Sequence, residues 1–184
     1  RDATVVTIGE LDPSAREEGS GEPRVLAVEH YAWTGVPHPS LYSRLLDLLR
    51  RHWRCARVVV DATGVGEGVA SFLAQALGPS LVTPFKFTAQ SKSHLAFQLL
   101  AAVNSGRLTM YAADGSAESQ EFWNQMERAV SAYRPNQTVN FFVDPSRGHD
   151  DYLMSLALLV EAARYTPRIA RGSPREREPA ARPG

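Results

Sequence analysis

A chain of 184 residues with twenty acidic and twenty basic side chains carries no formal net charge, which excludes a protein that holds nucleic acid by bulk electrostatics and makes any such contact local. Its single cysteine, Cys55, excludes an intrachain disulfide framework and a multi-cysteine zinc site, and fits a reducing compartment. With no signal peptide and no apolar run long enough to span a bilayer, the expectation is a soluble, cytosolic protein with no membrane partner.

Ala3 to Glu10 is rich in β-branched residues, and Val25 to Trp33 alternates in the same way, so the two segments predict a hairpin around a loop from Asp12 to Pro23. Ser40, as an N-cap, precedes leucines at helical spacing through Leu49. Arg57-Val58-Val59-Val60-Asp61 is a short apolar run of the kind buried on both faces of a central parallel strand, and a glycine-rich turn follows it at once. A helix is predicted over Gly66 to Leu77, a strand over Leu81 to Phe87, and a helix from about Gln90 to Asn104 with Gly106 closing it. This alternation of strand and helix predicts a largely parallel sheet in the middle of the chain.

Arg107 to Tyr111 and Thr138 to Val143 are further apolar runs, separated by a predicted helix from about Ala117 to Ala132. A last helix begins at His149-Asp150-Asp151 and is apolar almost all round through Ala163, so it is expected to pack on the sheet. One domain over residues 1–166 is expected, with a Pro/Arg/Glu-rich, disordered tail over 167–184.

The chemistry-bearing residues sit at element ends. Asp61 closes the most apolar strand and faces Gly64-Val65-Gly66-Glu67-Gly68, in the place where open α/β sheets bind ligands. A carboxylate there serves a site or merely the turn, and both readings stand. The glycine run lacks the Lys-Ser/Thr ending of a phosphate-binding loop, so it reads as a tight turn. Asp150 and Asp151 open a helix, where capping and the helix dipole favour an acid whatever the protein does. One cap needs only one acid, however, and here His149, Asp150 and Asp151 stand together. Carboxylates gathered from distant segments suit magnesium or manganese, which activate water and neutralise phosphodiester charge.

The order Asp-Ala-Thr-Val-Val, Val-Val-Val-Asp-Ala-Thr-Gly-Val-Gly, Pro-Phe-Lys-Phe-Thr-Ala-Gln-Ser-Lys, Gly-Arg-Leu-Thr-Met and Gly-His-Asp-Asp-Tyr-Leu-Met-Ser-Leu-Ala-Leu resembles the nuclease domains of phage terminase large subunits from about Asp2 to Ala163. The resemblance implies an RNase H-like α/β fold, a mixed sheet flanked by helices, and a divalent-metal-dependent endonuclease. Such a domain cleaves concatemeric double-stranded viral DNA with little sequence preference, using Mg2+ or Mn2+ as a pair of ions. It implies Asp61 as the second family carboxylate and Asp150 or Asp151 as the last; His149 itself reads as a supporting neighbour of the carboxylates, a metal ligand or an ordinary polar loop residue. It also implies an upstream ATPase motor domain in the same polypeptide, the portal protein and the small terminase subunit as partners, and a place in the host cytoplasm. In the family a strand bearing the first metal-binding aspartate precedes the segment that Asp2 opens. That strand is not in this sequence, so the expectation is an upstream strand that completes the sheet and the acid cluster.

Lys86, Lys92, Arg134 and Arg147 stand at strand ends or in loops near this site and are the candidate phosphate contacts, although surface cations are ordinarily just solvated. Lys92 leads them, because a cation in the first turn of a helix is disfavoured unless an anion is near. Trp33, Trp53 and Trp123 read as core or interface aromatics. Two other readings stand beside the terminase one. The first is an RNase H-like resolvase or recombinase, which prefers branched DNA. The second is a non-catalytic docking module for the portal or small subunit, which exposes an apolar patch near Trp33 or Trp123 and binds no metal.

Overall fold

The computed structural model describes residues 3–12 and 22–164; the Asp12 to Pro23 loop for the most part, Asp2 and the expected tail lie outside the described residues. Strand β1 (Ala3–Asp12) pairs antiparallel with β2 (Arg24–Thr34), and the register shifts between Ile8 and Gly9. The side-chain alternation expected of a strand splits β1 between two cores. Val6 and Ile8 face a cluster built on Leu41, Leu45, Leu49, Leu73 and Val82. Thr7 bonds Ser155 at 2.8 Å on the other side, and a side chain at Gly9 would strike Leu159.

Helix α1 (His38–Leu46) starts earlier than its leucine pattern suggested, because Pro39 sits in the first turn, where amides have no helical partner to lose. Ser40 is therefore inside the helix and is not its cap. The helix runs on into a wide π-turn (Asp47–His52), where the Trp53 amide reaches back to the Leu48 carbonyl at 2.9 Å. Strand β3 (Val58–Asp61) pairs in parallel with β4 (Val82–Phe85), and α2 (Gly66–Leu77) lies between them in sequence. The three valines of β3 are half-buried, short of the full burial expected, since β4 is the strand's one pairing partner among the described residues.

Helix α3 (Ala89–Asn104) opens with a Thr88/Ser91 capping box, and Gly106 follows it at φ +67, the left-handed conformation that ends helices. Strand β5 (Leu108–Met110) adds in parallel to β2. Helix α4 (Ala117–Arg128) stops four residues before its predicted end, and Ala129–Tyr133 is instead strand β6, antiparallel to β7 (Val139–Val143). Two forces override the helical reading. Arg134 precedes Pro135, which disfavours helical backbone there, and five register pairs to β7 satisfy amides that a frayed helix end would leave bare. The last helix, α5 (Asp151–Arg164), packs on both β1 and β3 and anchors the larger core with Tyr152, Leu153, Leu156, Ala157 and Val160. Helices thus cover both faces of a mixed set of strands, in an α/β architecture.

His30 is buried at 2 % exposure, with Nδ1 3.0 Å from the Tyr111 hydroxyl, its ring stacked on Phe122 and, among the described residues, no partner for Nε2. Burial holds its pKa at about 4. The folded imidazole stays neutral while the unfolded one takes a proton near pH 6.5, so this stability is complete above that pH and drains away as pH falls toward 4. Urea unfolding at pH 5 is expected to show stability lower by about 2 kcal/mol than at pH 7, with His30→Gln removing most of that difference. A pH slope unchanged in the variant would refute the assignment.

Candidate metal centre

The parallel register of β3 and β4 ends at the Asp61/Phe85 pair and is continued by Ala62 N donating to the Phe85 carbonyl at 2.7 Å. One oxygen of the Asp61 carboxylate accepts the Thr63 amide at 2.8 Å, the local turn bond that aspartate favours. Turn chemistry and a site role are therefore compatible here, because the side chain is exposed and its second oxygen has no hydrogen bond among the described residues. The Thr63 hydroxyl in turn accepts the Phe87 amide at 2.9 Å, which ties the loop after β3 to the loop after β4. Gly66 lies so close to this strand end that a Cβ would collide with the carbonyl oxygen of Asp61.

At the head of α5 the capping expected of the aspartates falls to another residue. Oε1 of Gln125, on α4, accepts the Tyr152 amide at 2.8 Å and the Leu153 amide at 3.4 Å, while its Nε2 donates to Glu121. Asp150 lies half-exposed with Oδ2 3.9 Å from Lys92 Nζ. Burial first, and then the charges of Glu118, Glu121, Tyr111 and Asp151, push the Tyr152 phenol up to about 12. His149 is exposed in the preceding loop and makes no hydrogen bond to either aspartate among the described residues.

The four candidate cations separate into two kinds. Lys86 pairs with Glu67 at 3.3 Å on the surface. Arg147 stands beside Asp144, and its carbonyl accepts Arg128 Nη1 at 2.9 Å. Lys92 and Arg134, by contrast, line one cavity. Lys92 is partly buried, with its ammonium 5.7 Å from the Phe141 ring centroid. Burial lowers its pKa, Asp150 opposes that, and Arg134 adds to it.

One chain of contacts joins the acids. It runs from Asp61 through Thr63 to Phe87, on to the first turn of α3, and through Lys92 to Asp150. The donors are hard carboxylate oxygens, the right chemistry for a magnesium-type cation. Among the described residues, however, no three His, Cys, Asp or Glu side chains are grouped closely enough to hold a metal, so the set is right in kind and short in number. The separate parts that Thr63, Gly66 and Gln125 play are visible only in the structure. The first two lie in the glycine-rich turn itself, but nothing local marked Gln125 as the cap of a helix twenty-seven positions later.

The family model for the terminase RNase H-like domain matches residues 24–162, most of the chain and every described element from β2 through the site. The chain belongs to that family. Solved structures agree on the fold. The large terminase nuclease from thermophilic phage G20c with bound cobalt is 21 % identical, with a TM-score of 0.58 over 85 % of this chain and 81 % of that one. The same nuclease with bound magnesium is 20 % identical, with the same TM-score and coverage. The Thermus phage P74-26 large terminase nuclease domain is 17 % identical, with a TM-score of 0.55 over 86 % of this chain and 78 % of that one. No curated protein sequence matches. In this chain β3 and β4 end together, α5 packs on β3, and no described helix is long and apolar enough to cross a membrane.

Proposed function

We propose that this domain is the divalent-metal-dependent endonuclease of a viral DNA-packaging terminase, cutting double-stranded concatemers with little sequence preference. The observation that carries the reading is the position of Asp61 at the shared end of β3 and β4, linked through Lys92 to Asp150 at the head of the helix packed on β3. Asp61, Asp150 and Asp151 would hold Mg2+ or Mn2+, together with a further carboxylate that the described residues do not supply. When bound, such ions supply Lewis acidity and a water more acidic than bulk. This chain's own residues do the positioning. The Thr63 amide fixes one oxygen of Asp61, and Gln125 takes the helix amides that would otherwise compete for Asp150 and Asp151.

The cobalt and magnesium in the G20c terminase nuclease support the metal class. An oxygen donor set favours magnesium or manganese over softer ions in the cell. An ATPase motor, the portal and the small terminase subunit are the partners such a domain works with, in the host cytoplasm. Nothing among the described elements is shaped like a base-reading helix or finger, which fits cleavage without sequence choice.

The test uses plasmid DNA with the purified full-length protein, in EDTA and in Mn2+ or Mg2+, beside Asp61→Ala. Nicking that requires the metal and the Asp61 carboxylate is expected. Equal nicking by both proteins would remove the enzyme reading, and faster cutting of branched than of linear duplex would favour a resolvase.

A further inference from the structure

A cavity of about 330 Å3 opens between the first turn of α3 and the β6/β7 hairpin, and Phe87, Thr88, Ala89, Lys92, Arg134 and Asn140 contribute to its lining. Its electrostatics are unbalanced. Arg134 is close enough to disfavour the charge of Lys92, and Asp150, with Oδ2 3.9 Å from Lys92 Nζ, favours it. The Arg134 guanidinium has no ion pair or hydrogen bond among the described residues, although its backbone is fixed by Arg134 N to the Thr138 carbonyl at 2.8 Å and by Gln137 N to the Arg134 carbonyl at 3.0 Å. Ala89 adds a first-turn amide, a donor that a helix leaves without an internal partner. Two cations, one carried on a hydrogen-bonded hairpin backbone, therefore line a space large enough for a phosphate with its attached sugar, with Phe87 as an apolar wall.

We infer that this cavity is a backbone-phosphate subsite for a nucleic-acid strand, with one phosphodiester group held between Lys92 and Arg134 and its sugar against Phe87. The identity of the polymer as DNA rests on the nuclease reading, while the anion subsite itself does not. Because Lys92 also touches Asp150, a strand held here runs past the proposed metal ligands, and the subsite grips a phosphate flanking the cut. Lys86 and Arg147 take no part, being engaged with Glu67 and beside Asp144.

Fluorescence anisotropy of a short fluorescein-labelled duplex with the full-length protein, in EDTA so that no cutting occurs, separates this subsite from the nuclease proposal. Arg134→Ala is expected to weaken binding about tenfold, equally for two unrelated duplex sequences, and to lower the slope of log affinity against log salt by about one. Arg134→Lys is expected to recover part of the loss, and Lys86→Ala to change affinity by less than about twofold. Arg134 sits at an exposed hairpin end, so its variants are expected to melt at the wild-type temperature. Wild-type affinity and slope in a folded Arg134→Ala would overturn the inference, as would a wild type that binds no duplex. Complete displacement of the duplex by inorganic phosphate at matched ionic strength would also overturn it, by making the cavity a free-phosphate site. Loss of binding in Arg134→Ala without any metal-dependent cutting by the wild type would leave the subsite standing and remove the nuclease.

Discussion

Plasmid nicking in Mn2+ is expected to fall by on the order of a thousandfold in Asp61→Ala and in Asp150→Asn, and by only about tenfold in Asp151→Asn. The first two side chains lie along one line of contacts, through Thr63 and Lys92. Asp61 is fixed by the Thr63 amide and Asp150 faces the Lys92 ammonium, whereas the charge of Asp151 is felt by Tyr152. Asn keeps the size of Asp and removes its charge, so the effect measures charge rather than packing. The Gln125 bonds to the α5 amides do not depend on either aspartate, and both Asn variants are expected to unfold within about 1 kcal/mol of wild type. Asp151→Asn losing more activity than Asp150→Asn would reverse the assignment.

The order of these acids along the elements was legible in the sequence because it rests on local signals. A run of valines ending in aspartate before glycines says strand and turn, and an acidic pair before an apolar stretch says helix start. What the sequence did not reveal depends on contacts between distant segments. Residues 129–132 read as helix because their composition permits one, and only pairing to the strand over 139–143 draws them into β6. The aspartate pair looked like a cap because helices need one, and only the packing of α4 on α5 brings Gln125 to fill that role. Likewise, local signals ranked Lys92 first among four cations but could not separate Arg134 from Lys86. Glu67 takes Lys86, while the β6/β7 hairpin carries Arg134 to the cavity that Lys92 also lines. Even the half-burial of Val58 to Val60 follows from pairing on one side, which an apolar run cannot express.

Gly66→Ala should cripple the site from outside it. Three glycines follow Asp61, and they are not equivalent. At Gly64 a Cβ would meet nothing within 4 Å, but the φ of +56 would strain any other residue, so Gly64→Ala is expected to cost about 1 kcal/mol of stability and little activity. At Gly68 the nearest atom is the Tyr42 hydroxyl at 3.6 Å, an ordinary contact, and alanine there in the first turn of α2 is neutral or slightly stabilising. At Gly66 the obstacle is the backbone of Asp61 itself, which cannot rotate away as a side chain would. Alanine must push α2 off the end of β3 or displace Asp61, whose carbonyl and carboxylate move together. The stability loss is expected near the upper end of the roughly 1 to 3 kcal/mol that forced overpacking costs. The loss of nicking should be larger than stability explains, on the order of a hundredfold at a temperature where the variant is fully folded, because a displacement of about 1 Å in a ligand is enough for that. A shift of the half-maximal Mn2+ concentration to higher values would mark the effect as misplacement of Asp61, since a merely destabilised but correctly built site would keep its metal requirement. Wild-type nicking and wild-type metal dependence in folded Gly66→Ala would show that the close approach of α2 to the end of β3 does not position the carboxylate.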